Sequence, residues 1–260
     1  MDRGPRDQTR RHRPGSRVLT LLRPKEHGFT SLTLTVMLAA LLFTRRWTQE
    51  LAVAVGLALL GLPLREALRG WTLGKTPTRY LWIPLVPGAG LSGLLVWLRP
   101  DLWVPLGLLG AVMALDLVAA RRRWYRRMVV ELAESTGLVF LLWLLLRSGG
   151  VPPGLLAPFV WGFGMYLTLA VVLARALRVQ HETLAFHYLW AGLWAVATAL
   201  SALWLPAENT LFLALWTLQV GAWACVRFRG RHGPKAFKQL GWFLTFETLA
   251  FVVLWAWLVG

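Results

Sequence analysis

The residues able to do chemistry in this chain are charged side chains set inside apolar runs. Asp116 lies near one end of a run over 102–120, Glu131 and Glu134 open the next over 128–146, and Glu247 sits about two turns into the last. His187 falls about one turn into a run over 184–205. Glu66 and Glu182 stand at run ends, beside Arg65, Arg69, Arg175 and Arg178. An ionised group in hydrocarbon is costly enough that such residues normally face a bundle interior or an aqueous cavity. Most of these acids fall on one side of the runs in the company of arginine, so the expectation is a polar, arginine-rich cavity open to that side. For Glu131 and Glu134 a structural ion pair is the simpler reading, because Arg127 and Glu131 are i,i+4 neighbours and the two acids share a helix face. Glu247 has no basic residue within a turn or two, so a partner on another helix or a functional role is expected.

Other candidate motifs are weaker. Lys25, Glu26, His27 and Gly28 precede the first run and read either as an acid–base set at the interface or as a helix-entry turn. His181 and His187 are badly spaced for one face of a helix, and no metal site is expected. Pro87-Gly88-Ala89-Gly90 lacks the Lys-Ser/Thr of a phosphate loop and reads as a kink and packing feature. Cys225 is the only cysteine, which excludes an intrachain disulfide and a cysteine-based metal cluster.

The elements that must position these residues follow from composition. The chain has 260 residues, 57% hydrophobic and 15% charged, against about 25% charged for soluble domains. So apolar a surface needs lipid as its solvent, and 16 Trp suit the headgroup boundary. A bilayer core about 30 Å thick takes roughly 20 helical residues to cross. Runs near that length begin at Tyr80, Leu102, Met128, Leu155, Leu184 and Leu240, and shorter ones, Phe29 to Phe43 and Leu211 to Val226, extend into flanking Trp, Thr and Arg. A weaker run, Leu51 to Leu64, could be tilted or re-entrant. Counting it gives an all-α polytopic bundle of about nine spans.

Lys and Arg favour the cytoplasmic side of short loops. With a cytoplasmic N-terminus, nine spans leave only Arg45, Arg46, Arg99 and Arg147 outside. Omitting the weak run scrambles that alternation. The net charge of +16 is therefore a topology signal, and no nucleic-acid partner is expected, because the basic residues sit in gaps and a tail. Residues 1–23 read as a basic, disordered or interfacial tail without a cleavable signal, and 24–260 as one transmembrane domain. The setting expected is a bacterial inner or plasma membrane.

An echo runs through the chain. Leu64-Arg65-Glu66-Ala67-Leu68-Arg69 is followed by Tyr80-Leu81-Trp82, and Leu173-Ala174-Arg175-Ala176-Leu177-Arg178 by Tyr188-Leu189-Trp190. Two matches in order, at equivalent places in two helix pairs, point to an internal repeat, and repeats often frame a site between them.

Pro24-Lys25-Glu26-His27-Gly28 and the arginine-rich gap before Glu131 resemble YwiC-like membrane proteins, a family to which no activity is attached. The nine spans, Arg23-Pro24 before the first of them and the placing of the echo are more distantly similar to UbiA-type prenyltransferases. That resemblance implies a cytoplasmic pocket for an isoprenoid diphosphate held through Mg²⁺ by aspartate motifs. Here those two gaps contain no aspartate, and Mg²⁺ prefers several carboxylate or phosphate oxygens. Arginine grips phosphate without metal through its planar fork. The resemblance therefore implies a pocket for an anionic lipid or isoprenoid (di)phosphate, with Arg65, Arg69, Arg175 and Arg178 on the phosphate. Glu66, His181, Glu182 and Glu247 would shape or protonate it, with Mg²⁺ present only if transfer is retained. The alternatives are a divergent prenyltransferase, a small transporter or a membrane assembly protein; no particular protein partner is implied.

Overall fold

The computed structural model describes residues 27–44, 46–122, 128–178, 183–228 and 234–259. Among these residues there are nine α-helices and no strand: α1 His27–Thr44, α2 Gln49–Thr72, α3 Thr78–Leu98, α4 Trp103–Arg121, α5 Met128–Ser148, α6 Pro153–Arg178, α7 Thr183–Trp204, α8 Ala207–Phe228 and α9 Pro234–Val259. A short 3₁₀ turn, Pro100–Leu102, leads into α4. Six segments are long and apolar enough to cross a membrane: α2, α3, α4 with its lead-in turn, α8, and the stretches Pro153–Arg175 of α6 and Lys238–Val259 of α9. The chain is a multi-pass helical membrane protein. The expected tail over 1–23 lies outside the described residues, as do Lys25, Glu26, Arg127, His181 and Glu182.

The weakest expected run belongs to a helix of 24 residues. Thr48 starts α2, its side-chain oxygen accepting from the Leu51 N–H at 3.1 Å, which satisfies one of the orphan donors of the first turn. The helix then passes through Pro63 and continues beyond Arg65 and Arg69. It ends where Gly74 takes φ +68° and the Lys75 N–H returns to the Gly70 carbonyl at 2.7 Å. Reading the arginines as the end of the run made it too short. They do not end it, because acids on other helices meet their charge.

Lipid tails are as apolar as leucine, so helix association in a membrane rests on close packing and buried polar contacts. α2 packs against α3, α4 and α5, and α6 packs against α7, α8 and α9. α5 also packs on α6, and α1 lies against α5 and α9. α3 and α4 are consecutive in the chain, yet they barely touch. Aromatic stacking fills the centre of the second group: Tyr166 and Phe251 lie 4.4 Å apart and 8° from parallel, and Phe251 is 5.6 Å from Trp255. The Trp255 indole N–H donates to the Phe159 carbonyl at 3.3 Å.

Both ends of the bundle carry exposed indoles. Trp47, Trp97, Trp103, Trp204 and Trp257 mark one end, and Trp71, Trp82, Trp223 and Trp242 lie toward the other. An apolar ring with one N–H donor is suited to the headgroup level, so two such belts are the pattern expected of a bilayer-spanning bundle.

Two glycines let indoles of neighbouring helices pack closely. A Cβ on Gly162 would run into the ring of Trp255, and one on Gly221 into the ring of Trp190. At Gly107 a Cβ would meet nothing within 4 Å. Gly162→Ala and Gly221→Ala should each lower stability by about 1–3 kcal/mol, the usual size of overpacking. Gly107→Ala should be neutral or stabilising, since alanine is the better helix former. Thermal unfolding in mild detergent measures the contrast, and equal melting temperatures for all three would refute it.

Candidate functional site

At the end of the bundle where α2 and α4 finish and α5 begins, four helices bring charges together. Arg65 and Arg69 lie four residues apart on α2 and therefore project from one face. Asp116 on α4 takes both: its Oδ2 accepts from Arg65 Nε at 3.0 Å and lies 3.8 Å from Arg69 Nε. The terminal nitrogen of Arg65 donates to Glu134 on α5. One turn earlier on α5, Glu131 accepts from Arg175 of α6 at 3.4 Å. The first turns of α5 are thus tied to α2 on one side and α6 on the other. Arg65 and Asp116 are only 7% and 4% exposed, so this pair is a buried charge contact.

The opposite end holds a simpler arrangement. Asp101, in the 3₁₀ turn, accepts from Arg99 Nε at 3.1 Å and from Arg147 Nε at 2.7 Å. Thr48 Oγ1 donates to the Ser148 carbonyl at 2.9 Å, joining the start of α2 to the end of α5.

A cavity of about 330 Å³ lies among α1 to α5. Its walls are mostly aliphatic and glycine, with contributions from Leu57, Gly61, Leu85, Leu109, Met113 and Leu141. Arg65, Asp116 and Glu134 are the charged residues that line it, and they sit together at one pole. Ala89 on α3 and Gly110 on α4 line it while remaining exposed, so the mouth opens sideways between α3 and α4, near mid-height. The near-absence of contact between those two helices leaves that mouth open.

The other sequence candidates are distributed differently. Arg69 stands behind Arg65 against Asp116 and does not line the cavity, and neither do Glu66 and Arg175. Arg178 is the last residue of α6, and His27 and Gly28 begin α1. Glu247, on α9, lies half-buried in the second group of helices and makes no hydrogen bond or salt bridge among the described residues. His187 on α7 meets Cys225 on α8 at 3.7 Å. The partners found for Glu131 and Glu134 are arginines of neighbouring helices, whereas Arg127, the expected local partner, lies outside the described residues.

Asp116 is the residue to which sequence reasoning gave no role. One signal could have found it: it is the only acid in α4, with no basic residue within four positions, so its counter-ion has to come from another helix. Among the described residues no group of three or more His, Cys, Asp or Glu side chains could hold an ion. The two carboxylates lining the cavity are already held by Arg65.

Comparison with family models, with curated proteins and with solved structures finds no match to the chain.

Removing one partner of a buried ion pair strands the other charge, at a cost of about 3–5 kcal/mol, whereas an exposed pair is worth about 0–1 kcal/mol. Asp116→Ala should therefore melt well below Asp101→Ala, although Asp101 accepts from two arginines. Matching melting temperatures in detergent would show that the Arg65–Asp116 contact does not hold the bundle together.

Proposed function

We propose that this protein binds a phosphate-bearing amphiphile, an anionic lipid or isoprenoid (di)phosphate, in the cavity among α1 to α5. The observation that carries this reading is the polarity of the cavity: aliphatic walls, one charged pole centred on Arg65, and a mouth between α3 and α4. Its volume lies at the small end of the roughly 300–1,000 Å³ common for ligand sites. An amphiphile entering sideways from the bilayer keeps its chain in apolar surroundings throughout. Only its head group has to leave water, and it meets the Arg65 guanidinium there. Arg65 provides the fork inside the cavity, and Arg69 reinforces the positive potential from behind.

The same proposal places nine spans across a bacterial inner or plasma membrane with the N-terminus in the cytoplasm, so that the Arg65 pole faces inward. The positive-inside distribution and the two belts of exposed indoles support it. It also treats α2–α5 and α6–α9 as an internal repeat, of the kind that the UbiA-like resemblance implies. The matching packing of α2 and α6 on their three neighbours supports that part.

Native mass spectrometry of the protein in mild detergent tests the binding. The wild type should carry a phosphate-bearing amphiphile. Gly110→Phe should lose it by about tenfold or more, because nothing lies within 4 Å of a Cβ there and the ring can fill the mouth. Arg65→Gln should lose it as well. An empty wild type, or equal retention by all three proteins, would overturn the reading.

Labelling tests the topology. In a Cys225→Ser background, Arg46→Cys should react with a membrane-impermeant maleimide in intact cells, and Lys75→Cys only after the membrane is opened. The reverse pattern would invert the protein.

A further inference from the structure

The charge balance inside the cavity narrows the ligand further. Among the described residues Arg65 is the one cation lining it, and two carboxylates, Asp116 and Glu134, line it beside that cation. A head group made only of phosphate oxygens would place its negative charge against both acids. Asp116 adds a second constraint. Its Oδ2 is occupied by Arg65 and Arg69, while Oδ1 is buried and has no hydrogen-bond partner among the described residues. A buried carboxylate oxygen left without a donor is costly, and a ligand that supplies one regains that cost on binding.

We infer that the amphiphile carries a hydrogen-bond donor, an ammonium or a hydroxyl, next to its phosphate, and gives that donor to Asp116 Oδ1. The phosphate then lies on the Arg65 side of the pole and the donor on the Asp116 side, so each part of the head group meets the opposite charge. This inference rests on the cavity being the amphiphile site and narrows that reading to a phospholipid-type head group, zwitterionic or anionic, in place of a bare isoprenoid (di)phosphate.

Two matched pairs of synthetic dioleoyl lipids isolate the donor from net charge. Phosphatidylethanolamine and phosphatidylcholine are both neutral overall, but only the first has N–H donors. Phosphatidylglycerol and phosphatidylethanol both carry one negative charge, but only the first has hydroxyl donors. Lipid exchange onto the purified full chain, read by native mass spectrometry, should favour the donor-bearing member of at least one pair by about tenfold, the effect of one hydrogen bond to a charged group. Preference within the neutral pair alone assigns an ammonium, and within the anionic pair alone a hydroxyl.

Asp116→Asn reverses the chemistry at that point. Its amide oxygen must face the Arg65 N–H, which turns the amide NH₂ toward the open position, where it is itself a donor. Lipid should still bind, and the preference should fall below about twofold. Equal binding within both pairs by the wild type overturns the inference even if the Asn variant fails to fold. So does a preference that survives Asp116→Asn. In either case the cavity reading stands if Gly110→Phe still abolishes binding, and it falls with the inference if Gly110→Phe changes nothing.

Discussion

The rest of the structure depends on how the charge of Arg65 is accommodated. A guanidinium that is 7% exposed in a bundle of lipid-spanning helices has lost nearly all its water, and only carboxylates at contact distance can replace it. Asp116 and Glu134 do so from two different helices, which fixes α2 against α4 and α5 at the same point. Without that contact α2 would have to stop short of Arg65, as its sequence suggests. With it, the helix runs its full 24 residues and carries Arg65 and Arg69 inside. The same contact sets the polar end of the cavity, because the three residues that make it are the three charged residues that line it.

α5 transmits this constraint to the rest of the molecule. Glu134 faces α2 and Glu131 faces α6, so a single helical turn ties the two groups of helices together. At its other end, Arg147 reaches Asp101, and the Ser148 carbonyl accepts from Thr48. The leucines between those ends pack into the main core with α1, α2, α6 and α9. Polar contacts thus sit at the ends of α5 and apolar packing fills its middle. That is the order of costs in a bilayer, where an unsatisfied polar group is dearest at mid-depth.

Much of this was legible in the sequence, and the remainder has a physical reason for being hidden. Long apolar runs and the sign of the gaps between them were sufficient to locate the helices, because length and hydropathy decide what can cross a bilayer. That an acid set inside a span needs a partner or a cavity was legible for the same reason. Which arginine meets which acid was not. Arg65, Asp116 and Glu134 are far apart in the chain, and local spacing favoured Arg127 for Glu131. The length of α2 was misread because an unpartnered arginine would end a span, and the partners lie on other helices. A cavity was expected, but as a polar, arginine-rich one open at the cytoplasmic end. The one found is mostly apolar and, among the described residues, is lined by Arg65 alone of the expected arginines. It opens sideways because α3 and α4 fail to pack, which no local pattern encodes.

The second group of helices shows why the charged cavity has no open counterpart at the equivalent place beside α6. Tyr166, Ala170 and Leu173 on α6 stand at the same offset from Leu57, Gly61 and Leu64 on α2 as the second copy of the echo stands from the first. These three residues line a void of only about 10 Å³, together with Trp190, Thr217 and Val220. Tyrosine replaces Leu57 and alanine replaces Gly61, so the wall itself is thicker. Trp190 falls at the place of Trp82 in the echo, but Trp82 is exposed, whereas Trp190 lies inward against Gly221. Trp194 then donates to the Ala214 carbonyl and to Thr217, fixing a second indole between α7 and α8. The charge has gone as well: Arg65 in the echo corresponds to Ala174. Arg175 next to it turns to Glu131 of α5 instead, so the equivalent place needs no polar pole, and close packing with indoles is the stable alternative. The place beside α2 keeps both the charge and the space.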